Sequence, residues 1–183
     1  MCIRDRYYLT RYKGVPVWHQ QAENILRSSG KLLSASGHTR EFFGRRFGKD
    51  ITDTVKKFLA DEPQNNTTWV TNLALHKLWN SKANRIVKRE GHVLTCADGS
   101  LHLIPLDQLS NMYRLIPGAL LIEPLHTIHD ALAGQWPTFL RNWATKQIQL
   151  TFDNQITIAK TTLKIPFEGG YGPSWEGTKQ NAI

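Results

Sequence analysis

The sequence predicts an α+β fold, in which helices are interleaved with antiparallel hairpins. Three observations carry that expectation. Apolar residues recur at helical spacing in several separate segments. Between them lie short apolar runs bounded by turn residues, the pattern of hairpins rather than of strand–helix–strand crossovers. With 183 residues, 40% apolar and 21% charged, the chain can build a core of ordinary composition. No apolar run approaches the roughly 18 residues that would span a membrane, so no membrane partner is expected. No secretory signal is visible. Cys2 and Cys96 make neither a disulfide framework nor a metal-ligand spacing, which predicts a reducing, cytoplasmic compartment.

The elements follow in order. Val15, Trp18, Ala22, Ile25 and Leu26 share one helical face, and a helix is predicted over 16–29, with Pro16 in its first turn and Gly30 as its C-terminal cap. The stretch 32–43 predicts a hairpin turning at Ser34-Ala35-Ser36-Gly37, with Arg40, Arg45 and Arg46 crowding it and its exit. A helix over about 53–60 is predicted to stop at a turn, Asp61-Glu62-Pro63, and a second to run over about 67–79. Asn66 or Thr67 would cap the second helix; Val70, Leu73, Ala74 and Leu78 would be its buried stripe. From Ser81 to Arg114 the chain is polar and reads as mostly loop. The apolar run 119–128, the pair His129-Asp130 and the run 131–136 predict a hairpin with a polar tip. Pro137 then opens a helix carrying Phe139, Leu140 and Trp143, and a strand region over 155–167 ends in a Gly-rich segment.

The formal charge is +8, which favours an anionic partner, nucleic acid being the commonest. Met-Cys-Ile-Arg-Asp-Arg at positions 1–6 is what the end of a transposase-based sequencing adapter encodes. It is read as a library artefact, so Met1 is not expected to be a start codon and the protein is expected to extend upstream. The segment holds two arginines and one aspartate, and without it the charge is still +7.

The chemistry centres on Thr127-Ile128-His129-Asp130-Ala131-Leu132. A carboxylate held at the tip of a buried hairpin suits a hard divalent cation, since Mg²⁺ takes oxygen ligands in strict geometry. A turn aspartate bonded to its own backbone has the same local sequence. The spacing His126-x-x-His129-Asp130 also carries ligand types suited to Zn²⁺ or Mn²⁺, but strand residues three apart point to opposite faces.

Five segments, in order, resemble the C-terminal polymerase region of family A (DNA polymerase I-like) DNA polymerases. Tyr8-Leu9-Thr10-Arg11-Tyr12-Lys13-Gly14-Val15 is similar to a Tyr-x-x-Arg-Tyr-x-Gly-Val stretch after the fingers helix. Gly37-His38-Thr39-Arg40 with Gly44-Arg45-Arg46 falls where the family has a Gly-Arg-Arg hairpin. Pro63-Gln64-Asn65-Asn66-Thr67 resembles its Pro-x-Gln-Gly-Thr helix start. Leu121-Ile122 through Ile128-His129-Asp130 resembles motif C, and Glu168-x-Gly170-x-Gly172-x-x-Trp175 resembles the family's ending. The resemblance covers nearly all of 7–178 apart from 82–113, which looks like an elaboration.

The resemblance implies an incomplete domain: a palm with its antiparallel hairpin sheet and packed helices, plus part of the fingers. Residues 7–60 would be the post-fingers helix and basic hairpin, and 61–183 the palm with motif C. Asp130 would be the motif C metal ligand, and His129 would contact the primer-terminus backbone. Asn65 would replace a glutamine that reads the minor groove, Lys57 would replace an arginine near the template–primer, and Arg40, Arg45 and Arg46 would meet phosphates. Asn65 as a helix cap, Lys57 as a solvated charge and Arg45-Arg46 as a basic loop are the plain readings of the same residues. Ala131 departs from the family, which has Glu there.

The implied reaction is metal-dependent addition of a dNTP to a primer 3′ end on template DNA in replication, with two Mg²⁺ ions. The first catalytic aspartate and the nucleotide-binding helix would lie upstream. The 183 residues alone are expected to be inactive, since one carboxylate cannot clamp two ions, and to expose apolar surface where missing strands pack. The altered motifs point to a bacteriophage source, hence the host cytoplasm. A non-catalytic nucleic-acid-binding module, and a metal-dependent hydrolase using His126, His129 and Asp130, are the alternatives.

Overall fold

The computed structural model describes residues 10–34, 37–43, 51–158 and 160–174. They form a mixed α+β structure. Contacts divide the chain into two compact units, Met1–Thr67 and Thr68–Ile183. Among the described residues all strand pairs are antiparallel, and they make four small sheets rather than one.

In the first unit, α1 spans Gly14–Ser28. It ends as its sequence predicts: Ser29 N–H and Gly30 N–H bond back to the carbonyls of Ile25 and Leu26, and Gly30 takes a φ of 68° that costs a side chain dearly. Ala22 and Leu26 are buried, while Trp18 and Ile25 on the expected apolar face are exposed. Strands β1 (Lys31–Leu33) and β2 (Thr39–Glu41) form the predicted hairpin. Its turn is held by Ser34, whose Oγ accepts from the His38 N–H at 3.1 Å and donates to the His38 carbonyl at 3.2 Å.

The expected break at Pro63 does not occur. A single helix, α2, runs from Ile51 to Asn80 with Pro63 inside it. Proline removes one donor and crowds the preceding turn, but the residues around it are tied down from both sides. Phe58 is buried against Ala22, Leu26 and Leu32, and its ring lies 5.0 Å from that of Phe42. Asp61 is buried and ion-paired with Arg40. The Thr67 hydroxyl, expected at a cap, donates instead to the carbonyls of Gln64 at 2.8 Å and Pro63 at 3.3 Å. These contacts hold the chain on both sides of Pro63 and help to offset its one lost hydrogen bond.

The second unit contains the last turns of α2. Val70, Ala74 and Leu78 are buried there as the stripe predicts. The stretch read as loop is instead an antiparallel three-stranded sheet, β3 (Ile86–Glu90), β4 (Val93–Cys96) and β5 (Leu101–Leu103), in that order. Its turns fall at Gly91 and at Asp98-Gly99, where the Asp98 carboxylate accepts from Ser100 N–H at 2.9 Å and Ser100 Oγ at 2.6 Å. Ile86, Leu94, Cys96 and Ile104 make the main core with Leu115, Leu121 and Leu140.

Leu120, Leu121 and Ile122 are buried but are not strand; the following hairpin is β6 (Glu123–Ile128) with β7 (Ala131–Gln135). A short 3₁₀ turn at Thr138–Leu140 leads into α3 (Arg141–Phe152), and β8 (Gln155–Ile158) pairs with β9 (Thr161–Lys164). The segment after β9 packs back through Phe167 on Phe152, with rings 5.0 Å apart, and Tyr171 near Trp136 and under the Arg141 guanidinium. Among the described residues no helix is long and apolar enough to cross a membrane.

Candidate functional site

The hairpin is built from its base. Asn84 is buried at the end of the 3₁₀ turn Lys82–Asn84. Its Nδ2 donates to the carbonyls of Leu78 at 3.0 Å and Ile122 at 2.9 Å, and its Oδ1 accepts from the Ile122 N–H at 2.6 Å. One amide thus joins the end of α2 to the residue just before β6. Leu132 and Trp136 pack on the cluster of Leu78, Ile122 and Ala144. Pro124 faces Gly134 next to a register shift between Pro124 and His126. A Cβ on Gly134 would stand 2.8 Å from the Glu123 carbonyl oxygen, so only glycine lets the strands close here.

The tip is His129-Asp130, between the paired residues Ile128 and Ala131. His129 has a φ of 55°, the left-handed region that two-residue hairpin turns use at their first central position. The sequence predicted the polar pair at the turn, but not its surroundings. The hairpin is not buried: Leu125 through Ala131 are all exposed. The Asp130 side chain makes no hydrogen bond or ion pair with the described residues, so it is not an aspartate folded onto its own backbone. The Asp130 carbonyl accepts a 2.7 Å bond from Thr71 Oγ1. Beside the hairpin, a groove of about 550 Å³ runs between α2 and β6; Leu75, Trp79, Leu125 and Leu132 line it together with His76 and His126. Trp79 is 53% exposed.

The other expected site residues lie in the first unit or outside the described residues. Arg40 pairs with buried Asp61, and its guanidinium sits 5.3 Å from the Phe42 ring centre. Asn65 is half-buried inside α2, and its Nδ2 lies 3.5 Å from Asp61 Oδ2; it caps nothing. Lys57 is exposed, with no ion pair among the described residues. Arg45, Arg46 and Trp175 lie outside the described residues.

The titrating groups with a clear displacement are elsewhere. Burial lowers the pKa of His102, opposed by the nearby Asp98 carboxylate; its Nε2 is buried without a partner among the described residues, and its ring meets Trp143 edge-on at 4.9 Å. Burial raises the Cys96 thiol, and hydrogen bonds from Ser100 lower the exposed Asp98. His126 and His129 do not join a metal cluster: among the described residues no three His, Cys, Asp or Glu side chains are grouped to hold an ion.

Compared with profiles of protein families, with curated proteins and with solved structures, the chain finds no match.

Proposed function

We propose that the chain is the C-terminal part of a family A DNA polymerase domain, with β6–β7 as the motif C hairpin of its palm. The observation that carries the reading is the Asp130 carboxylate, exposed at the tip of a two-residue turn and uncommitted to any described neighbour. A hard oxygen donor presented in this way fits one position of a Mg²⁺ site. Bound Mg²⁺ would offset the charge that develops on a transferring phosphoryl group, and further ligands would come from an upstream aspartate. Within the chain, Asp130 would hold the ion, and His129 beside it would face the primer backbone. Asn65, Lys57, Arg40, Arg45 and Arg46 would contact primer–template DNA, with dNTP as co-substrate. Arg40 could meet a phosphate only while remaining paired with Asp61, so its role there would be partial. The apolar groove along β6 supports the reading as well, being a surface that further palm structure would cover.

The experiment is primer extension by the polypeptide read from the upstream-extended frame, with and without Asp130→Asn. Loss of one metal ligand removes several kcal/mol of transition-state stabilisation, so a rate loss of about 10³-fold or more is expected. Extension that survives the substitution, or an extended frame lacking a second catalytic aspartate, would sink the proposal.

A further inference from the structure

The side chain of Asp130 is exposed, yet its main chain is held. Thr71 is buried on α2, and its hydroxyl reaches the Asp130 carbonyl at 2.7 Å, across 59 positions of sequence. The hairpin's apolar anchors, Leu132 and Trp136, lie on β7 and just beyond it, whereas every residue from Leu125 to Ala131 is exposed. A two-stranded hairpin is marginally stable alone, and this one turns through a non-glycine residue at positive φ. Its tip would sample several orientations without a tether, and a carboxylate on it would be aimed only part of the time.

We infer that Thr71 is a positioning residue that sets the direction of the Asp130 carboxylate through the backbone of the turn. The inference rests on the polymerase reading for its function, but not for its structural content. Valine has threonine's shape without the donor, and serine keeps the donor. One hydrogen bond corresponds to a shift on the order of fivefold in the tethered population.

The test begins with amide exchange on the full chain. In Thr71→Val, the amides of Ile128 and Ala131, which pair across the turn, should exchange on the order of fivefold faster, those of β4 should be unchanged, and Thr71→Ser should restore the slow rate. Unchanged exchange at the tip, equal acceleration at β4, or a serine variant that behaves like valine would each overturn the inference. In the extended polypeptide, Thr71→Val should raise the Mg²⁺ concentration for half-maximal extension by a similar factor and leave the KM for dNTP in place. If Asp130→Asn still extends primers, the polymerase reading fails while the exchange result stands. If Asp130→Asn is inactive but Thr71→Val leaves the Mg²⁺ dependence unmoved, the positioning role alone fails.

Discussion

Replacing Asn84 by alanine should unfold the second unit more readily than any other single polar substitution in it. Its side chain makes three hydrogen bonds, to Leu78 and to both main-chain groups of Ile122, at a site with 2% of its surface exposed. Alanine leaves the Ile122 N–H without a partner, costing about 1–3 kcal/mol. Two carbonyls lose a bond each, adding about 0.5–1.5 kcal/mol apiece. The sum is roughly 2–6 kcal/mol, a large share of the 5–15 kcal/mol that holds a typical domain. For a unit of this size that corresponds to a fall in Tm of roughly 10–20 °C. Thermal unfolding followed by circular dichroism checks the size, and amide exchange at Ile122 checks the place. Asn84→Asp keeps an acceptor for Ile122 but turns a buried carboxylate toward two carbonyls, so it should be at least as damaging at neutral pH. A Tm within about 5 °C of the parent for both variants would refute the reasoning, since three buried hydrogen bonds at about 1 kcal/mol each cannot vanish at that cost.

Two further substitutions report on single contacts. Among the described residues, Arg40→Ala leaves the buried Asp61 carboxylate with only the long Asn65 contact, and should destabilise the first unit by about 2–4 kcal/mol; adding Asp61→Leu should recover much of the loss, and no change in denaturant midpoint for Arg40→Ala would show the pair to be idle. His102 gives a pH dependence. Burial lowers its pKa in the folded state, so the unfolded chain takes up the proton first as pH falls. Its contribution to stability is complete above the ordinary value of about 6.5 and declines as pH drops through that value toward the lower folded one. The urea midpoint should therefore fall between pH 7.5 and 5.5 in the parent and change less in His102→Phe; equal slopes would remove His102 from the account.

What the sequence made legible depended on whether a residue's environment was local. The α1 cap at Gly30, the β1–β2 turn and the polar tip at His129-Asp130 are set within a few residues, and each was readable. Pro63 was misread because a proline's local preference competes with contacts from afar: Arg40 reaches Asp61 across 21 positions, and such a contact has no local trace. The sheet β3–β4–β5 was missed for a different reason. Val87, Leu101 and Leu103 are exposed while Ile86, Leu94 and Cys96 are buried, so apolar residues stand on both faces and alternation does not mark the inner one. Asn84 looked like one more polar loop residue, and only the 38-residue reach to Ile122 makes it the anchor of the hairpin.

The same distinction separates Asp130 from its support. A turn aspartate can be found from sequence, but whether it is bonded to its own turn or presented outward depends on what holds the turn. Here Thr71 holds the tip, Asn84 holds the base and the packing of Leu132 and Trp136 holds β7, and both Thr71 and Asn84 lie far from Asp130 in sequence. The carboxylate is left uncommitted because its backbone and strands are held by others. Under the proposed reading that division would suit a metal ligand: the rigidity would come from groups that the ion does not touch, and the oxygen atoms would remain available to it.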